Sequence, residues 1–131
     1  MLLVTGYVQC ANDELTADDG ERVDMSCSLQ YSGSANAGWR VDWQRSDSEQ
    51  VLASFADDSE NRVKRSYLFV AKYGHSSGDY RCSVTSQHPW YNDSCITHLT
   101  VSCKSDLLNT DFVIHTIAYC IYSLNTAVKW H

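Results

Sequence analysis

Three kinds of side chain in this sequence could carry chemistry: paired carboxylates, imidazoles and thiols. The carboxylate pairs are Asp18-Asp19 and Asp57-Asp58, and two acids facing one cleft would suit general acid–base work. Both pairs stand beside Gly20 or Ser59, in turn-like composition where Asp hydrogen-bonds its own backbone. Turn caps are therefore expected in place of a catalytic dyad. His75, His88, His98, His115 and His131 are scattered, and neither a C-x-x-C nor an H-x-x-x-H spacing joins them to the cysteines, so no zinc centre is expected. No nucleophile, base and stabilising donor stand in a recognisable arrangement. The residues point to no enzyme, no metal and no cofactor, and they leave the six cysteines as cross-links.

Positioning these residues falls to a chain of 131 residues, 44% apolar and 20% charged, enough for one domain with its own core. Ten Lys and Arg against sixteen Asp and Glu give a net charge of -6, which excludes the dense basic surface that nucleic acid requires. Six cysteines at this length fit oxidative folding, so an extracellular setting is expected, secreted or at the cell surface. The stretch Met1–Gly6 has three consecutive apolar residues and no basic charge, well short of a signal-peptide core, so the export signal is expected to lie outside this sequence. Phe112–Leu124 is the most apolar stretch, but it contains His115 and Thr116 and falls short of the roughly 20 residues a membrane span needs. An extra strand or short helix packed on the domain is expected there, with no membrane span.

Short runs of period-2 alternation dominate before Cys103. In Arg22–Leu29, Val23, Met25, Cys27 and Leu29 share one face while polar residues take the other, the pattern of a half-buried strand. Similar runs occupy Trp39–Trp43, Gln50–Phe55, Ser66–Val70, Tyr80–Val84 and Ile96–Val101. Turn-forming clusters separate them at Asp18-Asp19-Gly20, Ser32-Gly33-Ser34, Asp57-Asp58-Ser59 and His75–Gly78. Closely spaced strands without a helical period predict an all-β sandwich over 1–103. Residues 104–131 form an apolar tail of separate composition.

Cys27 closes an alternating strand, Trp43 sits in the next, and Gly78-Asp79-Tyr80-Arg81-Cys82 follows. This order resembles the immunoglobulin superfamily, in an intermediate-set or short variable-like form. The resemblance covers roughly residues 5 to 102 and implies a Greek-key β-sandwich in which a Cys27–Cys82 disulfide crosses between the sheets. It also implies that Trp43 packs on that bridge and that Tyr80 hydrogen-bonds the backbone at a corner. Closing a loop of about 55 residues is worth roughly 3 to 5 kcal/mol. Two departures stand out. Ser76 occupies the family's Asp position, which leaves Arg62 without the ion pair expected of it, and no Gly-x-Gly bulge follows Cys82, which argues against a rearranged antigen receptor.

Fixing Cys27 to Cys82 leaves three pairings among Cys10, Cys95, Cys103 and Cys120. The first strand of such sandwiches runs parallel to the last, which favours Cys10–Cys95 with Cys10 near the start of its strand. Cys103–Cys120 would then fold the tail back, and the rival reading leaves Cys120 unpaired or joined to a partner chain. The connection Ser86–Asp93 stands where the family's loop between its last two strands would be. His88, Trp90 and Tyr91 around Pro89 are candidate ligand contacts, because rigid aromatics give contact area at low entropy cost. The competing reading folds Trp90 down over the sandwich end. Asn92-Asp93-Ser94 is an acceptor sequon for N-glycosylation. The acids between Asp13 and Glu21 and the cluster Arg62, Lys64 and Arg65 give a charge asymmetry able to orient a partner. The expected function is non-covalent recognition of a protein ligand or receptor, of immune or cell-surface type. The alternative is an adhesion module that forms a homodimer through a sheet face.

Overall fold

A computed structural model describes residues 5–32, 38–57, 62–87 and 90–103. The strands are β1 (Thr5–Cys10), β2 (Glu14–Asp18), β3 (Arg22–Ser32), β4 (Trp39–Arg45), β5 (Val51–Asp57), β6 (Arg62–Val70), β7 (Gly78–Gln87) and β8 (Trp90–Ser102). They form a three-stranded sheet ordered β1-β3-β6 and a five-stranded sheet ordered β2-β8-β7-β4-β5. The alternation in β3 puts Val23, Met25, Cys27 and Leu29 inside, and in β7 it puts Tyr80, Cys82, Val84 and Ser86 inside. Trp39, Val41 and Trp43 fill the centre from β4, and Leu99 and Val101 close it from β8. This is an all-β, Greek-key sandwich.

The first strand differs from the expectation. It is split in two: β1 pairs antiparallel with β3, and only β2 runs parallel to β8, with Leu15 opposite Leu99. Cys10 is the last residue of β1 rather than near the start of a strand beside β8. The short break at Ala11–Asp13 moves the chain from one sheet to the other. It is held by the Thr97 hydroxyl donating to the Asn12 carbonyl at 2.7 Å and by the His98 amide donating to the Asp13 carbonyl at 2.8 Å.

That split places four cysteines in two neighbouring pairs. Cys10 is opposite Cys27 within the three-stranded sheet, and Cys82 is opposite Cys95 within the five-stranded one. The disulfides run across, joining Cys10 to Cys95 and Cys27 to Cys82, so two staples stand side by side between the sheets. Trp43 is in register with Cys82 and fully buried. Cys103 is also disulfide-bonded; Cys120, expected to pair with it, lies outside the described residues.

The turn before β7 shows what replaces the missing Asp. The Tyr80 hydroxyl donates to the Ser76 carbonyl at 2.6 Å, closing the corner. Arg45, from the end of β4, donates to the carbonyls of His75 (2.9 Å) and Ser77 (2.6 Å) and to the Tyr80 hydroxyl (3.3 Å), while its guanidinium lies over the Tyr80 ring. Gly78 is required beneath it: its φ is 144°, and a Cβ there would meet the Arg45 Nη2 at 2.6 Å. Sequence reading gave Arg62 as the residue left unpartnered, and its side chain lies outside the described residues.

The carboxylate pairs divide. Asp19 accepts from the Tyr73 amide at 2.9 Å and Asp18 from the Ser102 hydroxyl at 3.2 Å, so both tie the β2–β3 turn to its neighbours. Asp57 is no turn cap. It ends β5, buried, in an ion pair with Arg65 at 3.3 Å, and the Arg65 guanidinium also covers the Phe55 ring. Asp58 lies outside the described residues.

Candidate functional site

The strongest candidate lies where β4 begins and β7 gives way to β8. The strands run further than alternation suggested: β7 continues to Gln87 and β8 starts at Trp90, so the connection is His88 and Pro89 alone, both outside the described residues. Trp90 and Tyr91 are therefore strand residues, and period 2 sends them to opposite faces. Trp90 is 75% exposed and Tyr91 only 9%. The Tyr91 ring meets Trp39 edge-on, with centroids 5.5 Å apart, and its hydroxyl donates to Asp93 at 3.4 Å. Tyr91 closes the core at this end, which corrects its reading as an exposed contact residue. Trp90, the residue for which a core cap was the competing reading, is the one left in solvent.

Around Trp90 a recess of about 390 Å³ is lined by Gly38, Arg40, Thr85, Ser86, Gln87, Tyr91 and Asn92. Register builds its floor: Arg40 is opposite Thr85, and Thr85 is opposite Asn92, on three adjacent strands. Arg40 is held by Asp42 at 3.1 Å, an exposed pair that restrains the side chain without withdrawing its charge. Ser86 is 5% exposed, and its Oγ has no hydrogen-bond partner among the described residues. A buried hydroxyl in that state costs about 1–3 kcal/mol until something satisfies it. Asp93 is pinned, accepting from the Val8 amide and the Ser94 amide at 2.9 Å each, so the sequon is held in an extended strand with Asn92 and Ser94 exposed on one side.

The other candidates do not converge here. His98 shares a 2.6 Å hydrogen bond with Asp79 on the outer face of the five-stranded sheet. His75 lends its carbonyl to Arg45, and of the candidates read from sequence Tyr91 and Asn92 line the recess with Trp90. Among the described residues no group of three His, Cys, Asp or Glu side chains could hold a metal ion, and no helix is long and apolar enough to cross a membrane.

No protein-family model and no curated protein matches the chain. Solved structures do. Domain 1 of VCBP3 from Branchiostoma floridae superposes with a TM-score of 0.60 at 14% identity, over 76% of this chain and 97% of that one. The chain has an immunoglobulin-like fold. A chain from a structure on Dscam isoform specificity matches with a TM-score of 0.53 at 14% identity, over 75% of this chain and 21% of that one. A chain from a structure on T cell specificity and activation by the bacterial superantigen toxic shock syndrome toxin-1 matches with a TM-score of 0.51 at 15% identity, over 75% and 100%. Identities this low speak to the fold, and the two sheets, the bridge beside Trp43 and the Tyr80 corner agree with it.

The sequence missed Ser86, Thr85 and Gln87 as part of this site. Their signal was weak: Ser86 and Gln87 fell in the expected connection and Thr85 between it and the run Tyr80–Val84, and only the continuing ladder with β8 shows that Ser86 points inward.

Proposed function

We propose that this immunoglobulin-like domain is an extracellular recognition module, secreted or displayed at a cell surface in an immune-type or receptor setting. It binds a protein ligand non-covalently at the recess beside Trp90, without catalysis or a cofactor. The observation that carries the reading is the exposed Trp90 indole next to an exposed cation, Arg40. Covering an indole gains about 3 kcal/mol at roughly 25 cal/mol per Å². Trp and Arg are also the residue types in which binding energy concentrates. A loop or side chain bringing an acceptor for Arg40 and a flat apolar surface for Trp90 would satisfy both groups. A glycan on Asn92 would stand at the rim of this recess and narrow what can enter.

The test is to screen the oligomerised domain against an array of extracellular protein domains and measure each binder against Trp90→Ala and Arg40→Ala. Support is at least a tenfold loss with Trp90→Ala at unchanged melting temperature. A binder indifferent to both substitutions refutes the site.

A second reading, self-association through a sheet face, rests on one row across the five-stranded sheet. Val51 and Ile96 are exposed at its two ends, with Gln44 and Arg81 between them. Sedimentation separates the two readings, since a dimer at micromolar concentration that Ile96→Lys dissolves would favour this one.

A further inference from the structure

The three-stranded sheet has an edge that the described residues leave unpaired. β6 pairs with β3 along its whole length, from Arg22 opposite Val70 to Gln30 opposite Arg62, and among the described residues no strand pairs with its other side. Edge strands are usually blunted by charge, Pro or a bulge. Here the second half, Ser66-Tyr-Leu-Phe-Val70, carries none of these. Leu68 and Val70 stand 69% and 51% exposed on the outer face, while Tyr67 and Phe69, on the inner face, are only partly covered. A strand laid along this edge would meet apolar side chains on both of its own faces.

One segment of the chain has that character. The strands of the domain alternate because one face is wet, whereas Phe112-Val-Ile-His-Thr-Ile-Ala-Tyr-Cys-Ile-Tyr122 is nearly continuous in apolar and β-branched residues, the composition of a strand covered on both faces. Its point of departure is close to the edge. The Asp19 amide donates to the Ser102 carbonyl at 2.9 Å, and the next amide, Gly20, donates to the Ala71 carbonyl at 2.8 Å. The end of β8 and the end of β6 are thus separated by one turn, a gap that a few residues at about 3.3 Å each can cross.

We propose that a strand from residues 104–131 pairs along the free edge of β6 and makes the three-stranded sheet four-stranded. The role of these residues is then to shield Leu68, Val70, Tyr67 and Phe69.

Nuclear magnetic resonance on the isotope-labelled full chain tests this. The alternate β6 amides that do not face β3 should exchange at least tenfold more slowly than exposed loop amides, and β6 should show interstrand NOEs to residues beyond Cys103. Replacing Ile114 and Ile117 by Asp should remove that protection while leaving β7 amides unchanged. Fast exchange of those amides in the unsubstituted chain, or protection without NOEs to the tail, overturns the proposal. Protection that rises with protein concentration also overturns it, since the edge would then be taken by a second copy.

Discussion

Replacing Arg45 by Ala should cost about 2 kcal/mol, although nothing local in the sequence marks Arg45 as structural. Its side chain is 24% exposed and gives two hydrogen bonds to turn carbonyls at 2.6 and 2.9 Å. Bonds from a charged donor are worth about 1.5–3 kcal/mol each, and the low end applies at this exposure. The contact over the Tyr80 ring adds about 0.5 kcal/mol. Against this, the carbonyls of His75 and Ser77 regain water when the side chain is removed, which offsets about half of the hydrogen-bond gain. The net corresponds to a melting temperature lower by roughly 10 °C for a domain of this size. Arg45→Lys keeps the charge but loses the fork that reaches both carbonyls, and should cost about half as much. Asp47→Ala removes an exposed partner of Arg45 at 3.4 Å and should cost less than about 0.5 kcal/mol. Urea and thermal unfolding followed by circular dichroism give all three values. If Arg45→Ala falls within 0.5 kcal/mol of Asp47→Ala, the clamp is decorative and the Tyr80 corner stands without it.

Three further outcomes follow from the geometry. Trp90→Ala should change the unfolding free energy by less than about 0.5 kcal/mol while Tyr91→Ala costs about 2–4 kcal/mol; chemical denaturation of the two variants separates surface from core, and the reverse order would mean that the two rings exchange roles in solution. Replacing Cys10 and Cys95 by Ala should cost about 3–4 kcal/mol, and replacing Cys27 and Cys82 nearly the same, despite sequence separations of 85 and 55. The two bridges are adjacent, so with either one in place the other closes a ring of only about 30 residues; a cost below about 1 kcal/mol in denaturant would contradict that. Burial pushes the Tyr80 phenol above the ordinary tyrosine value of 10.0, with Arg45 pulling the other way. The folded state therefore holds this proton more tightly than the unfolded chain, so its contribution is intact below pH 10 and is lost as pH rises through the higher folded value. Denaturation curves between pH 8 and 11 should show a decline that Tyr80→Phe reduces.

What the sequence made legible was what alternation writes into it. Six strands were visible because most of their inward residues are apolar and most of their outward ones polar, with Leu68 and Val70 as exceptions, and the order of Cys27, Trp43, Tyr80 and Cys82 carried the resemblance. β1 and β2 were not visible, since Thr5–Cys10 and Glu14–Asp18 are short, mixed in polarity and separated by a break that changes sheets. The start of β8 was hidden for another reason. Asn92, Asp93 and Ser94 have loop composition, yet Asp93 is held by the Val8 amide and the ladder with β7 carries the rest. Had the strand been extended back to Trp90, the same period-2 rule would have sent Tyr91 inward. Arg45 lay beyond any local reading, because its partners are some thirty residues away in sequence and are backbone carbonyls, which no residue type announces.

The arrangement explains how an exposed indole, and a buried hydroxyl without a partner among the described residues, are tolerated at one end of a small sandwich. Cys27, Cys82 and Cys95 lie part-way along their strands and Cys10 ends β1, with Cys95 in register with Cys82 and the Gln87–Trp90 pair at the far end of the same ladder. A disulfide stabilises mainly by restricting the unfolded chain, so its contribution does not depend on how well that end is packed. The opposite end is tied separately, by the Arg45 clamp and by the Asp18 and Asp19 contacts. Stability is thus concentrated in the bridges and in the end away from Trp90. Substitution at the surface around Trp90 therefore leaves the rest of the sandwich held.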